Sequence, residues 1–170
     1  MNDMALVFPT AEYKAKALEF AQEFFSAGED KIDGGAGICR APSFDFWLEV
    51  ITDAPTREIG TFVPSSTFFA VVNNEIVGIV DIRHSLNEHL LKVGGNIGYS
   101  VRPSKRGRGY ATEILRLALI KCRELGIKKA LVTCNSDNIG SKKVILKNGG
   151  IKENEIVEED GNIVLRFWVG

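Results

Sequence analysis

Between Arg102 and Ala111 the sequence RPSKRGRGYA gathers four cations, Arg102, Lys105, Arg106 and Arg108, around Gly107 and Gly109, and then enters a helical pattern. Glycines let the backbone turn so that consecutive N–H groups converge, and a helix start adds unpaired N–H groups and the positive end of its dipole. A loop of this kind binds phosphate. Its spacing fits neither G-x-x-x-x-G-K-[ST] nor G-x-G-x-x-G, so the usual nucleotide loops do not explain it. The cationic character is local, because 21 Lys and Arg stand against 22 Asp and Glu, a net charge of −1. That balance gives no whole-molecule attraction to nucleic acid or to an acidic membrane, and the loop alone makes too few phosphate contacts for useful nucleic-acid affinity.

The elements that must position this loop follow from periodicity. Tyr13, Ala17, Phe20 and Phe24 recur at helical spacing over Ala11–Ala27, and a glycine-rich loop then leads to a short helix from Ser43, its N-cap, to about Asp53. STFFAVVNNEIVGIVDIRHS predicts two strands joined at Asn73-Asn74, since asparagine tolerates the positive φ of tight hairpin turns. NIGYSV, Asn96 to Val101, is a third strand, stopped by Pro103. The loop therefore sits between this strand and a helix marked by Ala111, Ile114, Ala118, Cys122 and Leu125. A ligand whose phosphates rest in the loop would have its remainder along the strand. KALVTC predicts a buried strand, and Ser136 or Asp137 caps a further helix that stops at Asn148-Gly149-Gly150. A hairpin about Asp160-Gly161 ends the pattern.

The three cysteines, Cys39, Cys122 and Cys134, show no C-x-x-C spacing, and His84 and His89 are the only histidines, so no metal site is expected. The N-terminal segment lacks an export-signal pattern, and no apolar run approaches the roughly 18 residues that would span a bilayer. A soluble, cytoplasmic protein with no membrane partner is the expectation.

Arg106-x-x-Gly109-x-Ala111 resembles the [RQ]-x-x-G-x-[GA] signature of the GNAT superfamily of acetyl-CoA-dependent N-acyltransferases. GGNIGYSVRPSKRGRGYATEIL is similar to that family's strand, pyrophosphate loop and helix, and NIGSKKVILKNGG to its later helix. The order of elements from about Thr67 to Val169 is the family's. The resemblance implies an α/β (α+β) fold, one domain over 1–170, with a mixed, mostly antiparallel central sheet splayed at the cofactor site and helices on both faces. Residues 1–66 would be the variable helical region on the acceptor side and 67–170 the acetyl-CoA-binding core.

It also implies roles. Backbone N–H groups from Arg106, Gly107, Arg108, Gly109, Tyr110 and Ala111 would hold the pyrophosphate, and the strand Gly98, Tyr99, Ser100 and Val101 would pair with the pantetheine arm and supply an oxyanion donor. Asn138 and Ser141 match positions that contact pantetheine. Many relatives carry a tyrosine as general acid where this chain has Ile145, which cannot protonate a thiolate; Ser141 is the candidate donor in its place. For the base, DIRHSLNEH offers Asp81, His84, Glu88 and His89, of which Glu88 and His84 are the candidates. The expected reaction is acetyl transfer from acetyl-CoA, without a metal, to a primary amine of a small molecule or peptide, by direct attack in a ternary complex. The alternative is a non-catalytic acyl-CoA sensor or scaffold, which Ile145 favours. Relatives often form dimers, so a homodimer is among the assemblies allowed.

Overall fold

The computed structural model describes residues 3–57 and 60–170; Met1, Asn2, Glu58 and Ile59, all within the 1–66 region, lie outside the described residues. Strand β1 (Ala5–Val7) leads through a short 3-10 turn to helix α1 (Lys14–Ser26), and after the glycine-rich loop comes α2 (Phe44–Asp53). Ser43 caps α2 as expected, its Oγ accepting from Phe46 N at 3.1 Å. Strands β2 (Ser65–Val72) and β3 (Glu75–Arg83) form the hairpin, with Asn73 at φ 48° and Asn74 at φ 65° in the left-handed region that its turn requires. Then follow β4 (Ile97–Val101), α3 (Tyr110–Glu124), β5 (Ala130–Asn135), α4 (Ile139–Lys147), β6 (Ile151–Val157) and β7 (Ile163–Val169).

Two cores lie on opposite faces of the β2–β3 hairpin. Phe20, Phe24, Trp47, Ile51, Phe69 and Ile79 pack α1 and α2 against one face. Val80, Ile82, Ile114, Leu115 and Ala118 pack α3 against the other. Phe69 anchors the first, with Trp47 stacked on it at 5.7 Å between ring centroids. Fully burying an aromatic of this kind stabilises by about 1.5–3 kcal/mol. Alternation along the strands presents the hairpin to both cores, and a shift of register between Ala70 and Val71 changes the phase of β3 so that Ile76 and Ile79 face the same one.

The strands form two antiparallel sheets, β1-β2-β3-β4 and β5-β7-β6. The helix α3 carries the chain from β4 to β5, the crossover that neighbouring parallel strands need. The two strands are nevertheless joined only at one end: Asn96 N donates to Leu131 O at 2.7 Å, and Leu131 N donates to Asn96 Oδ1 at 2.8 Å. Beyond that point they share no ladder. The splay expected at the cofactor site is thus a seam pinned by one buried asparagine side chain.

Three local features differ from the sequence expectation. Strand β1 has only three residues, too few to show an alternation. The cap of α4 is Asn138, whose Oδ1 accepts from Ser141 N at 3.0 Å; Ser136 lies two residues before it and still extends the β5–β7 pairing, its N–H donating to Ile163 O at 2.8 Å. Between β3 and β4, Leu90–Gly94 forms a π-helical turn.

Candidate active site

The seam opens into a cleft of about 960 Å³ whose walls bring together β4, the basic loop, the start of α3, the end of β5 and the start of α4. Arg83 N donates to Asn96 O at 2.7 Å and Arg102 N to Val77 O at 2.9 Å, which fixes how β4 is turned. By the alternation of an antiparallel ladder, Gly98 and Ser100 direct their backbone groups toward β3, while Tyr99 and Val101 direct theirs into the gap. Of the four strand residues expected to offer backbone to a ligand, Tyr99 and Val101 face the gap, and the Val101 oxygen there accepts from Arg106 Nε at 3.2 Å. Gly98 and Ser100 contribute instead to the opposite wall, where the loop after α1 crosses the strand. Asp33 O accepts from Ser100 Oγ at 2.7 Å, and a Cβ on Gly34, at φ +74°, would stand 2.1 Å from Gly98 O. Only glycine allows that approach.

At the other end of β4 the backbone N–H groups from Gly107 through Thr112 find no acceptor among the described residues. Gly107 and Gly109 hold φ 73° and 83°, and Gly109 is the residue from which α3 starts. The expected run from Arg106 is shifted by one residue, because Arg106 N donates to Pro103 O at 3.3 Å. Arg106, Gly107, Gly109, Tyr110 and Ala111 line the cleft; Arg108 is exposed and outside the lining.

The loop's cations are not free charges. Arg106 makes a two-pronged pair with Glu29 at 2.7 and 2.9 Å and lies over the Phe24 ring at 5.5 Å. Arg102 pairs with Glu23 and, at 3.3 Å, with Glu75, which also takes Lys105 at 2.8 Å. Burial would raise the Glu23 carboxyl, but hydrogen bonds from Ser104 and Arg102 outweigh it and hold it down at about 2. Among the described residues Arg108 is the one of the four cations with no carboxylate partner. What the loop presents toward the cleft is therefore chiefly backbone N–H groups and the positive end of the α3 dipole.

On the α4 side, Asn138 and Ser141 both line the cleft, with the Oδ1 of Asn138 occupied by the helix cap. Tyr99 Oη and Ser141 Oγ lie 3.0 Å apart. Burial, only partly countered by that hydrogen bond, pushes the Tyr99 phenol up to about 12, so it stays protonated at any physiological pH. Ile145 is fully buried and points into the core; one position earlier Val144 lines the cleft. Neither can move a proton. Cys134, at the end of β5, lines the cleft with its thiol raised by burial.

Glu88 and His84 are not brought to the cleft. Glu88 is exposed and pairs with Lys92 at 3.0 Å, one helical turn along, while the His84 ring meets Ser66 Oγ at 2.8 Å across the β2–β3 hairpin. Burial lowers the His84 imidazole. Asp81 is buried, raised by desolvation, and engaged by Thr67 at 2.9 Å and Arg83 at 3.1 Å. His89 and Arg83 do line the cleft. No group of three or more His, Cys, Asp or Glu side chains able to hold a metal occurs among the described residues, and no helix there is long and apolar enough to cross a membrane.

A family model for the acetyltransferase (GNAT) domain matches residues 41–151. No curated protein matches the sequence. Among solved structures the fold is similar to that of Mycobacterium smegmatis RimJ in complex with CoA-disulfide, with 19% identity, TM-score 0.72, and coverage of 98% of this chain and 81% of that one. It is also similar to the microcin C7 self-immunity acetyltransferase MccE in complex with acetyl-CoA and AMP, at 15% identity and TM-score 0.71 over 99% of this chain and 92% of the other. A third is RimL, a ribosomal L7/L12 alpha-N-protein acetyltransferase in complex with coenzyme A, at 15% identity and TM-score 0.70 over 97% and 92% of the two chains.

Proposed function

The chain belongs to the GNAT acetyltransferase family, and on that premise we propose that it transfers the acetyl group of acetyl-CoA to a primary amine by direct attack within a ternary complex. The observation that carries this reading is the run of unpaired N–H groups from Gly107 through Thr112 at the mouth of a cleft whose floor is the open edge of β4. In this reading the run holds the pyrophosphate, and the backbone of Tyr99 and the N–H of Val101, whose oxygen is held by Arg106 Nε, pair with the pantetheine arm. The same edge offers an N–H where negative charge develops on the thioester oxygen, a contact that strengthens in the transition state. Residues 67–170 form the cofactor-binding core, and residues 1–66 shape the acceptor side.

Asn138 borders the arm through its amide nitrogen, its oxygen being held by the cap. Ser141 donates to the departing thiolate, with Tyr99 fixing its hydroxyl; a thiol near its ordinary value of about 8.5 needs little more than a hydrogen bond to leave at neutral pH. Acceptors to test include a peptide with a free N-terminus, since RimL, of similar fold, is an alpha-N-protein acetyltransferase, together with free lysine, a polyamine and an aminoglycoside.

The test is acetyl-CoA binding by calorimetry, followed by a free-thiol assay over those amines. Thr112→Glu places a carboxylate in the first turn of α3, where the dipole tolerates it and the fold is kept, while repelling the pyrophosphate. The wild type should bind and the variant should not. A wild type that fails to bind while folded overturns the reading. The sensor alternative is favoured by the aliphatic pair Val144 and Ile145 on the α4 side; binding without thiol release from any amine would select it.

A further inference from the structure

The π-helical turn Leu90–Gly94 buries none of its side chains, so it adds little hydrophobic stabilisation. Its carbonyl groups are nevertheless gripped from three strands. Arg166 of β7, only 7% exposed, donates to Leu91 O through Nε at 3.0 Å and Nη2 at 2.8 Å. Thr133 of β5 donates to Val93 O at 2.7 Å, and Arg83 of β3 to Gly94 O at 3.1 Å. Asn87 fixes the entry, its Oδ1 accepting from Leu90 N at 2.8 Å and its Nδ2 donating to Thr61 O at 2.6 Å. What such clamps determine is where the turn's unburied side chains stand, and π turns are frequent at functional sites. His89, at the entry to this turn, lines the cleft.

The other acid–base groups of the cleft are engaged or titrate elsewhere. Its carboxylates each have a partner: Glu29 holds Arg106, Asp33 holds Lys31 at 2.9 Å, and Glu158 accepts from Asn162 Nδ2 at 2.7 Å. Tyr99 and Cys134 are both raised by burial. His89 is the cleft's imidazole, the side chain whose ordinary titration falls nearest neutrality, and its ring has no hydrogen-bond partner among the described residues. The charges on the elements packed around the turn come as pairs, Asp81–Arg83 on β3, Lys31–Asp33 after α1, Glu88–Lys92 on the turn itself and Glu153–Arg166 between β6 and β7. From β5 the turn meets the uncharged Thr133.

We propose that His89 is the general base that takes a proton from the acceptor ammonium, an assignment that rests on the acetyl-transfer reading above. His89 removes one proton from the ammonium and leaves nitrogen its lone pair. The nitrogen then bonds to the thioester carbonyl carbon, the C–S bond breaks with its electron pair on sulfur, and a second nitrogen proton is passed to the thiolate. The products are the acetamide, the CoA thiol and a protonated His89, which returns its proton to solvent.

The chain holds two histidines, so their ring signals in proton NMR are assigned with His84→Gln and His89→Gln. Acetyl-CoA should move the His89 signal in the wild type. His89→Gln should bind acetyl-CoA as the wild type does, release thiol about 100-fold more slowly at pH 7, and show a kcat/KM that rises with pH only as free amine accumulates, without the limb that the imidazole contributes. The deficit should shrink with an amine of low pKa, such as hydroxylamine, which arrives already neutral. Binding of acetyl-CoA with the His89 signal unmoved, or a His89→Gln profile like the wild type's, would overturn the assignment while sparing acetyl transfer. Failure of the wild type to bind acetyl-CoA, or binding without turnover of any amine, overturns the acetyl-transfer reading and the assignment with it.

Discussion

Asn96 and Leu131 exchange two hydrogen bonds, one from the Asn96 backbone and one to its side chain, and these join the two sheets across the seam. The side-chain oxygen stands in for a strand carbonyl, and Asn96 Nδ2 donates at 3.1 Å to Arg83 O, so the whole amide is engaged while the residue is 3% exposed. A pin at one end leaves the two strands apart beyond it, and the open backbone of Tyr99 and the Val101 N–H depend on it; the Val101 oxygen accepts from Arg106 Nε at 3.2 Å.

Replacing Asn96 with Ala should leave Leu131 N without its acceptor in a buried setting, which costs about 1–3 kcal/mol. Urea unfolding should show that loss. If the pin also sets the gap, acetyl-CoA affinity should fall further than that of a destabilised core variant such as Ile51→Val, which lies in the other core.

The sheet hairpin, the α2 cap and the strand–loop–helix from Asn96 to Leu125 were legible because each has a local cause: turn asparagines, a serine before an apolar pattern, glycines before a helix. The site's edges were less so. Nothing around Asn96 in sequence distinguishes a pin from an ordinary strand-start residue, since its partner Leu131 lies 35 residues away. The carboxylates that neutralise the basic loop, Glu23, Glu29 and Glu75, are equally remote, and three of four cations that read as phosphate ligands prove to be paired. The DIRHSLNEH segment offered both histidines, and only the π turn decides that His89 faces the cleft and His84 does not. A π turn has no sequence period of its own, so that choice could not be read beforehand.

The Glu23 carboxyl is held at about 2 against an ordinary value of 4.5. A depressed carboxylate gives stability that is fully present above its unfolded value and is lost as pH falls through its folded one. The wild type should therefore lose stability between about pH 4.5 and 2 through this group, and Glu23→Gln should flatten that part of the Tm–pH curve while lowering Tm at pH 7. Scanning calorimetry across that range reads both effects. Equal slopes in the two proteins would show that Arg102 and Ser104 do not favour the ionised form.

Glu29→Gln leaves a hydrogen-bonding group beside Arg106 but removes the charge that neutralises it. The guanidinium then adds to the field at the phosphate loop, so acetyl-CoA should bind a few-fold more tightly at low salt, with the gain fading as ionic strength screens it. Calorimetry at low and high salt reads this. An unchanged affinity at low salt would mean that Arg106 acts through its packing on Phe24 and its hydrogen bond to Val101 O rather than through its charge.

Tyr99→Phe removes one hydroxyl from the pair with Ser141 and leaves the ring that packs against the α3 core. Because the phenol stays protonated up to about 12, it acts as a neutral hydrogen-bond partner and should add no limb of its own to the rate profile below about pH 10. Thiol release at saturating acetyl-CoA should slow by about tenfold, of the order of one lost hydrogen bond in the transition state, with binding preserved. Ser141→Ala should be similar in size, and the double variant little worse than either, because both changes break one chain of hydroxyls. Full additivity of the two losses would show that Tyr99 and Ser141 act on the leaving sulfur separately.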